Sequence, residues 1–345
     1  MHDTDAIRRG HPIADVAAAS GLELRQAGGR LTAVCPFHGD SRPSLVLYPA
    51  SQSYYCFGCG AGGDVIDFLS RLHRVDFREA VALLAGAQVA TTPAGAPHRP
   101  KVAVSEVDPM KAAPIIETAV TFYQEAVWSR PEVLDYLASR GIHERTVRRF
   151  RLGFGIPGLA AALRDRNLDI GTAQQIGLLD EDRECFAGRI IIPELVAGRA
   201  TWFTGRRLTD REPRYLNLRF PKPLLGLASA KGEAVVVTEG PFDWLTAVEW
   251  GFWAVALLGT RVPGKVAQSL ERFEEVYLVL DPDGAGREAT AELCERLGDR
   301  AIPVALPPGT ADLNSLGCRR DGRSIFARCI LDAGHEARAP RQRAA

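Results

Sequence analysis

Metal-ligand residue types are concentrated near the start of the sequence. Cys35 and His38 form a C-x2-H pair, and after seventeen residues Cys56 and Cys59 form a C-x2-C pair. A two-residue gap lets one tight turn aim both donors at a single point, so two such turns complete a tetrahedron. Three thiolates and one imidazole suit Zn²⁺ and leave no coordination position open for a substrate. The spacing therefore predicts a structural zinc site, which also explains how a short segment with a modest core can fold.

Aromatic and basic side chains lie between and inside the two predicted zinc turns, namely Arg42, Tyr48, Tyr54, Tyr55 and Phe57. On a zinc-stabilised ribbon, such side chains could stack on the bases of single-stranded nucleic acid. They could also form the hydrophobic packing of a small ribbon, and for any one aromatic residue this is the commoner role. The sequence leaves both interpretations open.

Carboxylates follow two strand-like runs in the C-terminal part of the sequence. Glu239 follows the run VVVT, and Asp281 and Asp283 follow the run VYLVL. Because functional crevices lie at the carboxyl ends of parallel strands, both loops could share one site. Carboxylate oxygens suit Mg²⁺, which completes its shell with water and phosphate oxygens, and the neighbouring glycines would let a phosphate approach the following helix. Ordinary solvated turns are the alternative; an EF-hand calcium loop fits less well, because its terminal Glu is missing and a strand precedes.

The composition bounds the class of protein. With 345 residues the chain is long for a single core, and 46% hydrophobic with 24% charged residues is typical of globular domains. Lys and Arg number 42 and balance 42 Asp and Glu, so any nucleic-acid surface must be local. The N-terminus has no apolar run of signal-peptide length, and no later segment approaches about 18 consecutive apolar residues, which predicts no membrane partner. An odd cysteine count without a secretory signal favours the reducing cytosol.

Periodicity and composition divide the chain into five segments. Apolar residues at helical spacing follow the zinc cluster, and a stretch rich in Ala, Pro and Thr comes next. The C-terminal part alternates β-rich runs with helical segments, which predicts βαβ units and a parallel sheet. The predicted segments are a zinc-binding domain, a flexible linker, a domain that opens with amphipathic helices, an α/β domain and a disordered tail, at residues 1–87, 88–114, 115–232, 233–335 and 336–345.

These motifs resemble those of a known family. The run CPFHGDSRPSLVLYPASQSYYCFGCGAGGDVIDFL is similar to the CHC2 zinc-binding domain of DnaG-type primases. Glu239-Gly240 with the later DPDGAG resembles the Toprim fold, which type IA and II topoisomerases and some nucleases share. FYQEAVWSRPEVLDYLASRGIHERTVRRFRLGFG and GRRLTDREPRYLN resemble the N-terminal part of the primase catalytic core. The resemblance extends from about Ile13 to Leu316, in family order.

The resemblance implies an α+β multidomain fold, with an N-terminal zinc ribbon and a mixed α/β primase core that ends in a Rossmann-like α/β Toprim domain with a mainly parallel sheet. It implies that Glu239, Asp281 and Asp283 are catalytic and hold Mg²⁺ or Mn²⁺. It also implies that basic residues line a groove for template, nucleotide or primer, namely Arg149, Arg206, Arg214 and Lys222. Arg214 stands where the family has Lys, and the two are not equivalent donors.

Parts of the family pattern have no clear counterpart in the sequence. A later acidic DxD of the Toprim domain is not reproduced, and Asp312 is the nearest candidate. The family's helical subdomain after Toprim is expected to be absent or reduced, and its C-terminal helicase-binding domain to be missing. This size resembles the compact primases of plasmids, phages and integrated elements.

The implied activity is that of a DNA primase, which makes short RNA primers from ribonucleoside triphosphates on single-stranded DNA. The expected partners are the template, the nucleotides and the RNA–DNA primer duplex, with a replicative helicase as a further candidate. A Toprim metal-dependent nuclease is one alternative, and a non-catalytic zinc and Toprim module that binds single-stranded DNA is another. A type IA topoisomerase would need a nucleophilic Tyr in a gate domain, for which the sequence after Toprim is too short.

Overall fold

The structure is a computed structural model that describes residues 4–38, 40, 42–86, 107–180, 183–209, 213–259 and 264–344. Within these ranges, side chains are described from residue 7 to residue 338. The predicted flexible linker therefore lies outside the described residues as far as residue 106.

The N-terminal segment contains a five-stranded antiparallel sheet with helices before and after it. The strands are neighbours in chain order, from β1 to β5. Buried Leu45, Tyr54 and Phe68 lie in its core, where the rings of Tyr54 and Phe68 meet edge to face with centroids 5.3 Å apart. The elements are α1 (Thr4–Gly10), α2 (Ile13–Ala19), β1 (Arg25–Ala27), β2 (Arg30–Ala33), β3 (Leu45–Tyr48), β4 (Ser53–Cys56), β5 (Gly62–Gly63), α3 (Val65–His73) and α4 (Phe77–Leu84).

The middle segment contains helices and a four-stranded sheet of order β11-β10-β9-β6. Buried Trp202 and Phe203 of β10 contribute to its core, and Phe203 packs edge to face on Phe186. The elements are α5 (Pro109–Val127), α6 (Pro131–Ser139), α7 (Glu144–Arg149), β6 (Gly153–Phe154), α8 (Leu159–Asp165), α9 (Ile170–Gln175), β7 (Leu179–Asp180), β8 (Arg183–Glu184), β9 (Arg189–Val196), β10 (Arg199–Arg207) and β11 (Tyr215–Asn217).

Helix α5 corrects the predicted end of the linker. The helix begins at Pro109, so residues 109–114 are helical rather than part of a flexible segment. Proline is favourable at the first helical position, because the N–H that it lacks would have no partner there. Ala112, Ile115 and Ile116 are buried, and their packing stabilises the first turns of the helix.

The C-terminal segment contains a parallel sheet of order β13-β12-β14-β15, which confirms the predicted βαβ domain. Thr238 at the end of β12 pairs with Ala256 of β13 on one side and with Val279 of β14 on the other. The carboxyl ends of these strands therefore lie at one edge. The elements are β12 (Ala234–Thr238), α10 (Pro241–Glu249), β13 (Ala254–Ala256), α11 (Gly264–Leu270), β14 (Glu275–Val279), α12 (Gly284–Leu297), β15 (Ala301–Pro303), α13 (Leu313–Gly317) and α14 (Gly322–Ala344).

The predicted disordered tail is wrong for residues 336–344, which continue helix α14 to Ala344. The composition-based prediction missed two stabilising factors. The tail is rich in Ala and Arg, which have high helix propensity. In addition, Arg338 Nε donates to Glu275 Oε1 at 2.9 Å, which anchors this part of the helix to β14.

The chain divides into two compact units, and this division differs from the predicted domain limits. The first unit comprises residues 1–108, 170–185 and 206–219, and the second comprises the remaining residues. Within the first unit, Arg71 of α3 lies 3.6 Å from Asp180 of β7. A methyl group at position 60 would lie 1.9 Å from Arg219 Nη2, so the absence of a side chain at Gly60 makes room for this arginine. These contacts join the zinc-binding segment to parts of the predicted 115–232 domain.

Among the helices that the structure describes, none combines the length and the apolar character needed to cross a bilayer.

Candidate metal centres

The four predicted zinc ligands meet in the first unit. One donor atom from each of Cys35, His38, Cys56 and Cys59 lies within 4.8 Å of all the others. Cys35 Sγ is 3.9 Å from Cys59 Sγ, and Cys56 Sγ is 3.8 Å from His38 Nδ1. Tetrahedral ligands with Zn–S bonds of about 2.3 Å stand about 3.8 Å apart, so the donor set fits zinc.

The backbone around the cluster is adapted to thiolate ligands. The amides of Gly58 and Cys59 both donate to Cys56 Sγ at 3.3 Å. A methyl group at position 58 would lie 2.6 Å from His38 Nε2, so glycine leaves room for the imidazole. Hydrogen bonds from Cys35 and Cys59 lower the pKa of the Cys56 thiol, although its burial opposes this. The two backbone amides that point at the Cys56 sulfur suit a thiolate ligand.

Two further residues support the zinc cluster and were not predicted. Asp40 has a fully buried side chain and accepts a hydrogen bond from Ser44 Oγ. Ser44 Oγ in turn lies 3.3 Å from Cys56 Sγ. The signal in the sequence is the polar run HGDSRPS after the first turn, where Asp and Ser could serve as partners to the ligands.

The structure divides the aromatic residues of the ribbon between the two interpretations. Tyr48 and Tyr54 are buried, which supports a packing role for both. Phe57 is 53% exposed and meets Tyr55 edge to face, with ring centroids 5.0 Å apart. Of these aromatic residues, Phe57 therefore remains the one best placed to contact a base.

The three predicted catalytic carboxylates lie at the carboxyl edge of the parallel sheet. Glu239 follows β12, and Asp281 and Asp283 follow the adjacent strand β14. Burial, followed by the charges of Asp281 and Asp283, raises the pKa of Glu239 to about 7. Burial and then the charges of Asp312 and Asp283 raise the pKa of Asp281 to about 6.

This carboxylate cluster has the chemistry of a divalent-cation site. Glu239 Oε2 is buried and has no hydrogen-bond partner among the described residues. A cation would supply the missing partner and relieve the mutual repulsion. Among the described residues, only the zinc ligands form a set with all donors within 4.8 Å, so the carboxylate oxygens are not all that close to one another. Mg²⁺ can be held by one or two carboxylates, with water and phosphate oxygens as its other ligands.

Glycine and capping interactions hold the Asp281–Asp283 loop. Asp283 caps α12, and its Oδ1 accepts the Gly286 amide at 2.8 Å. A methyl group at position 286 would lie 2.1 Å from the Asp281 carbonyl oxygen, so only glycine allows this close approach. In the DxDGxG motif, the second Asp therefore caps the helix and the last Gly allows the close approach of the loop backbone.

Two more carboxylates belong to this edge. Asp312, the nearest candidate for the later acidic motif, caps α13 and lies close enough to Asp281 to raise its pKa. Asp243 on α10 is buried, was not predicted, and accepts the Asn314 amide at 2.9 Å. Burial, followed by the charge of Asp312, raises the pKa of Asp243 to about 7.

Asp243→Asn should reduce the pH dependence of stability. The raised pKa of Asp243 means that its stabilising contribution is complete below its unfolded value of 3.8 and is lost as pH rises through about 7. In magnesium-free buffer, the free energy of unfolding of the wild type should fall by about 2 kcal/mol more than that of the variant between about pH 5 and pH 8. Urea titrations at both pH values measure this. Asp135→Asn, at an exposed position on α6, is the control, and an unchanged pH dependence in Asp243→Asn would contradict the prediction.

Of the four predicted basic residues, Lys222 lies near the carboxylates. Lys222 Nζ donates to the Leu258 carbonyl at 2.8 Å, and the Leu258 amide donates to the Glu239 carbonyl at 3.0 Å. Burial lowers the pKa of Lys222. A positive charge therefore stands at the edge of the sheet that carries Glu239.

The other three basic residues lie elsewhere. Arg149 lines a cavity at the C-terminal end of α10, about 13 Å along the helix from its start beside Glu239. Arg206 and Arg214 belong to the first unit, in which Arg206 Nη1 donates to the Tyr215 hydroxyl at 2.7 Å. Within the second unit, Lys222 thus lies at the sheet edge that carries Glu239, whereas Arg149 lies at the C-terminal end of α10.

Three family models match successive parts of the chain. The model described as CHC2 zinc finger matches residues 1–97. The model for the N-terminal domain of the DNA primase catalytic core matches residues 122–220, and a Toprim-like model matches residues 236–316. The three domains occur in the predicted order.

Curated relatives and a solved structure agree with these matches. A DNA primase of Pseudomonas putida KT2440 is 33% identical over 91% of this chain and 52% of its own length. A DNA primase of Aquifex aeolicus VF5 is 32% identical over 89% of this chain and 64% of its own. The chain thus spans between half and two thirds of these relatives. The crystal structure of the Aquifex aeolicus primase zinc-binding and RNA polymerase domains matches with a TM-score of 0.57 and 29% identity, over 96% of this chain and 85% of that one. With a CHC2 zinc finger, a primase core domain and a Toprim domain along its length, the chain belongs to the DnaG-type primase family.

Proposed function

We propose that the chain synthesises short RNA primers from ribonucleoside triphosphates on a single-stranded DNA template. The observation that carries this proposal is the convergence of Glu239, Asp281 and Asp283 from two adjacent parallel strands, with Glu239 Oε2 buried and without a partner among the described residues. The family membership supports it, since the relatives named above are DNA primases.

In this proposal, Glu239, Asp281 and Asp283 hold Mg²⁺ or Mn²⁺. When bound, the metal would lower the pKa of the attacking 3′-hydroxyl and neutralise charge on the departing pyrophosphate. Asp312 adds negative charge near Asp281. Lys222 contributes a positive charge that would attract the nucleotide phosphates to the same edge.

The zinc ribbon would hold the template. Exposed Phe57 offers a stacking surface for an unpaired base, while the buried zinc cluster keeps the turn that carries it rigid. Arg206 and Arg214 remain candidates for contacts to the phosphates of template or primer duplex. A replicative helicase is a further proposed partner. The proposed compartment is the reducing bacterial cytosol, which suits seven cysteines that form no disulfide.

Primer synthesis can be tested directly. The protein is incubated with single-stranded DNA, labelled ribonucleotides and Mg²⁺ or Mn²⁺, and short labelled RNA is expected only when all components are present. Gel electrophoresis of the products measures this. A parallel reaction without nucleotides tests for cleavage of the DNA, which would favour a Toprim nuclease. DNA binding without products would favour a non-catalytic module.

A further inference from the structure

A buried carboxylate of the second unit lies outside the carboxylate cluster and has no cationic partner among the described residues. Glu194, near the end of β9, is 4% exposed. Its Oε2 accepts the Gly226 amide, and its Oε1 accepts the Ala228 amide at 3.4 Å. Burial raises the pKa of Glu194, although these two amides lower it. A buried charge without a counter-ion opposes folding, so its presence indicates a role beyond packing.

The two amides belong to the connection between β11 and β12. Residues 222–230 of this connection are here called the 222–230 segment. Leu225 exchanges two hydrogen bonds with Ala256 of β13, at 3.1 and 2.9 Å. Because β13 is an edge strand of the parallel sheet, the segment pairs with the side of β13 that faces away from β12. Two elements, β9 and β13, thus hold the segment.

The turn at Gly226 is shaped for the contact with Glu194. Gly226 has a φ of +85°, in the left-handed region that favours glycine. A methyl group at this position would lie 2.3 Å from Trp244 Nε1, so glycine allows the close packing of the turn. Arg272 Nη2 donates to the Leu227 carbonyl at 2.6 Å. Glu194 therefore binds amide groups of this turn, and Arg272 binds a carbonyl group.

Lys222 begins the segment and reaches the edge of the sheet that carries the carboxylates. Its Nζ donates to the Leu258 carbonyl at 2.8 Å, and the Leu258 amide donates to the Glu239 carbonyl at 3.0 Å. Pro223 follows Lys222 and restricts the backbone torsions of both residues. A shift of the backbone at Gly226 is therefore transmitted to Lys222, because the chain between them has little freedom to absorb it.

We propose that Glu194 is a positioning residue, whose carboxylate fixes the 222–230 segment and thereby holds Lys222 Nζ beside the strand end that carries Glu239. Its effect on primer synthesis rests on the proposed function, in which Lys222 attracts the nucleotide phosphates. The environment of Lys222 can be measured without any reaction.

The pair of amides explains why a carboxylate stands at position 194. Two donors meet two acceptor oxygens, and a carboxylate supplies both. Glu194→Gln keeps the size of the side chain but replaces one acceptor by an NH₂ group, which would face an N–H. Glu194→Asp keeps the charge and both oxygens but withdraws them by one methylene group. Both variants should loosen the 222–230 segment, so either one tests the proposal if the other fails to fold.

Carbon-13 NMR of the lysine side chains reports the environment of Lys222. The sequence contains five lysines, and Lys222→Arg identifies the signal of interest. In the wild type, the pKa of Lys222 should lie below its ordinary 10.5, because the amine is partly buried. In Glu194→Gln and in Glu194→Asp, this pKa should rise toward 10.5 as the amine becomes solvated. Loss of a negative charge alone would lower a lysine pKa, so an increase in Glu194→Gln indicates displacement.

Glu249→Gln is the matched control for the NMR titration. It removes another buried carboxylate of the same unit, one that contacts Arg145 and not the 222–230 segment. The pKa of Lys222 should be unchanged in this variant. An unchanged Lys222 pKa in a cooperatively folded Glu194 variant, or an equal increase in Glu249→Gln, would overturn the proposal.

Nucleotide titrations of primer synthesis measure the effect on the reaction. Glu194→Gln should raise KM for the ribonucleoside triphosphates about three- to tenfold, as expected for one weakened hydrogen bond, with kcat within about twofold of wild type. In a Lys222→Ala background, the same substitution should change KM by less than about twofold, since the group that Glu194 positions is gone. An undiminished effect in that background would also overturn the proposal. If the wild type makes no primers, the proposed function fails, while the NMR titration still decides whether Glu194 positions Lys222.

Discussion

Asp281→Asn should abolish metal-dependent primer synthesis and leave template binding nearly unchanged. The charge of Asp281 contributes, after burial, to the raised pKa of Glu239, and the charges of Asp312 and Asp283 contribute, after burial, to the raised pKa of Asp281 itself. The amide substitution keeps the size of the side chain but removes the charge that a divalent cation requires. We expect a loss of at least about a thousandfold in the rate of primer synthesis, typical of removing a group that stabilises charge in the transition state.

Primer assays with Mg²⁺, combined with DNA-binding titrations, measure the two expected outcomes. Asp299→Asn is a matched control, because this aspartate is exposed at the far end of α12 and should leave both properties unchanged. Primer synthesis by Asp281→Asn at the wild-type rate would remove this residue from the metal site. Loss of DNA binding together with activity would instead indicate a folding defect.

Cys56→Ser should release zinc and unfold the zinc ribbon. Cys56 is fully buried at the end of β4, and its sulfur accepts two backbone amides in addition to its contacts with Cys35 and Cys59. Structural zinc contributes about 10 to 16 kcal/mol to the folding of such small domains, more than this ribbon's modest core can replace. We therefore expect loss of cooperative structure in β1 to β5 rather than a small decrease in stability.

Zinc content and hydrogen exchange measure this outcome. The wild type should contain one zinc ion per chain, and the amides of β3 and β4 should exchange slowly; both properties should disappear in the variant. Cys318→Ser is the control, since Cys318 is exposed and lies outside the cluster. Retention of zinc and of slow exchange in Cys56→Ser would show that three ligands are sufficient.

Local patterns predicted the zinc ligands and the three carboxylates for different physical reasons. The zinc ligands lie in two short turns, so residue type and spacing largely determine the geometry. The carboxylates are distant in sequence, but the ends of parallel strands in a βαβ sheet meet at one edge, and this rule brings Glu239 to Asp281.

Other features depend on tertiary contacts that spacing does not encode. The place of Arg149 follows from the packing of α7 on the end of α10 through Arg145 and Glu249, which are 104 residues apart. The joining of residues 170–185 and 206–219 to the zinc-binding segment depends on pairs such as Arg71 and Asp180. Asp243 was missed because an acidic residue in the first turn of a helix gives no sign of its burial against Asn314.

The strand order β13-β12-β14-β15 also places the carboxylate cluster away from the edges of the sheet, where local unfolding begins. The two strands that lead to Glu239 and to Asp281 are the interior pair, and each is shielded by a neighbour on its outer side. Fraying of a sheet starts at its borders, where backbone groups lack partners, and reaches interior strands last. The acidic residues thus follow the two strands that we expect to unfold last. Segments next to the edge strands β13 and β15 can therefore change in length without disturbing the cluster.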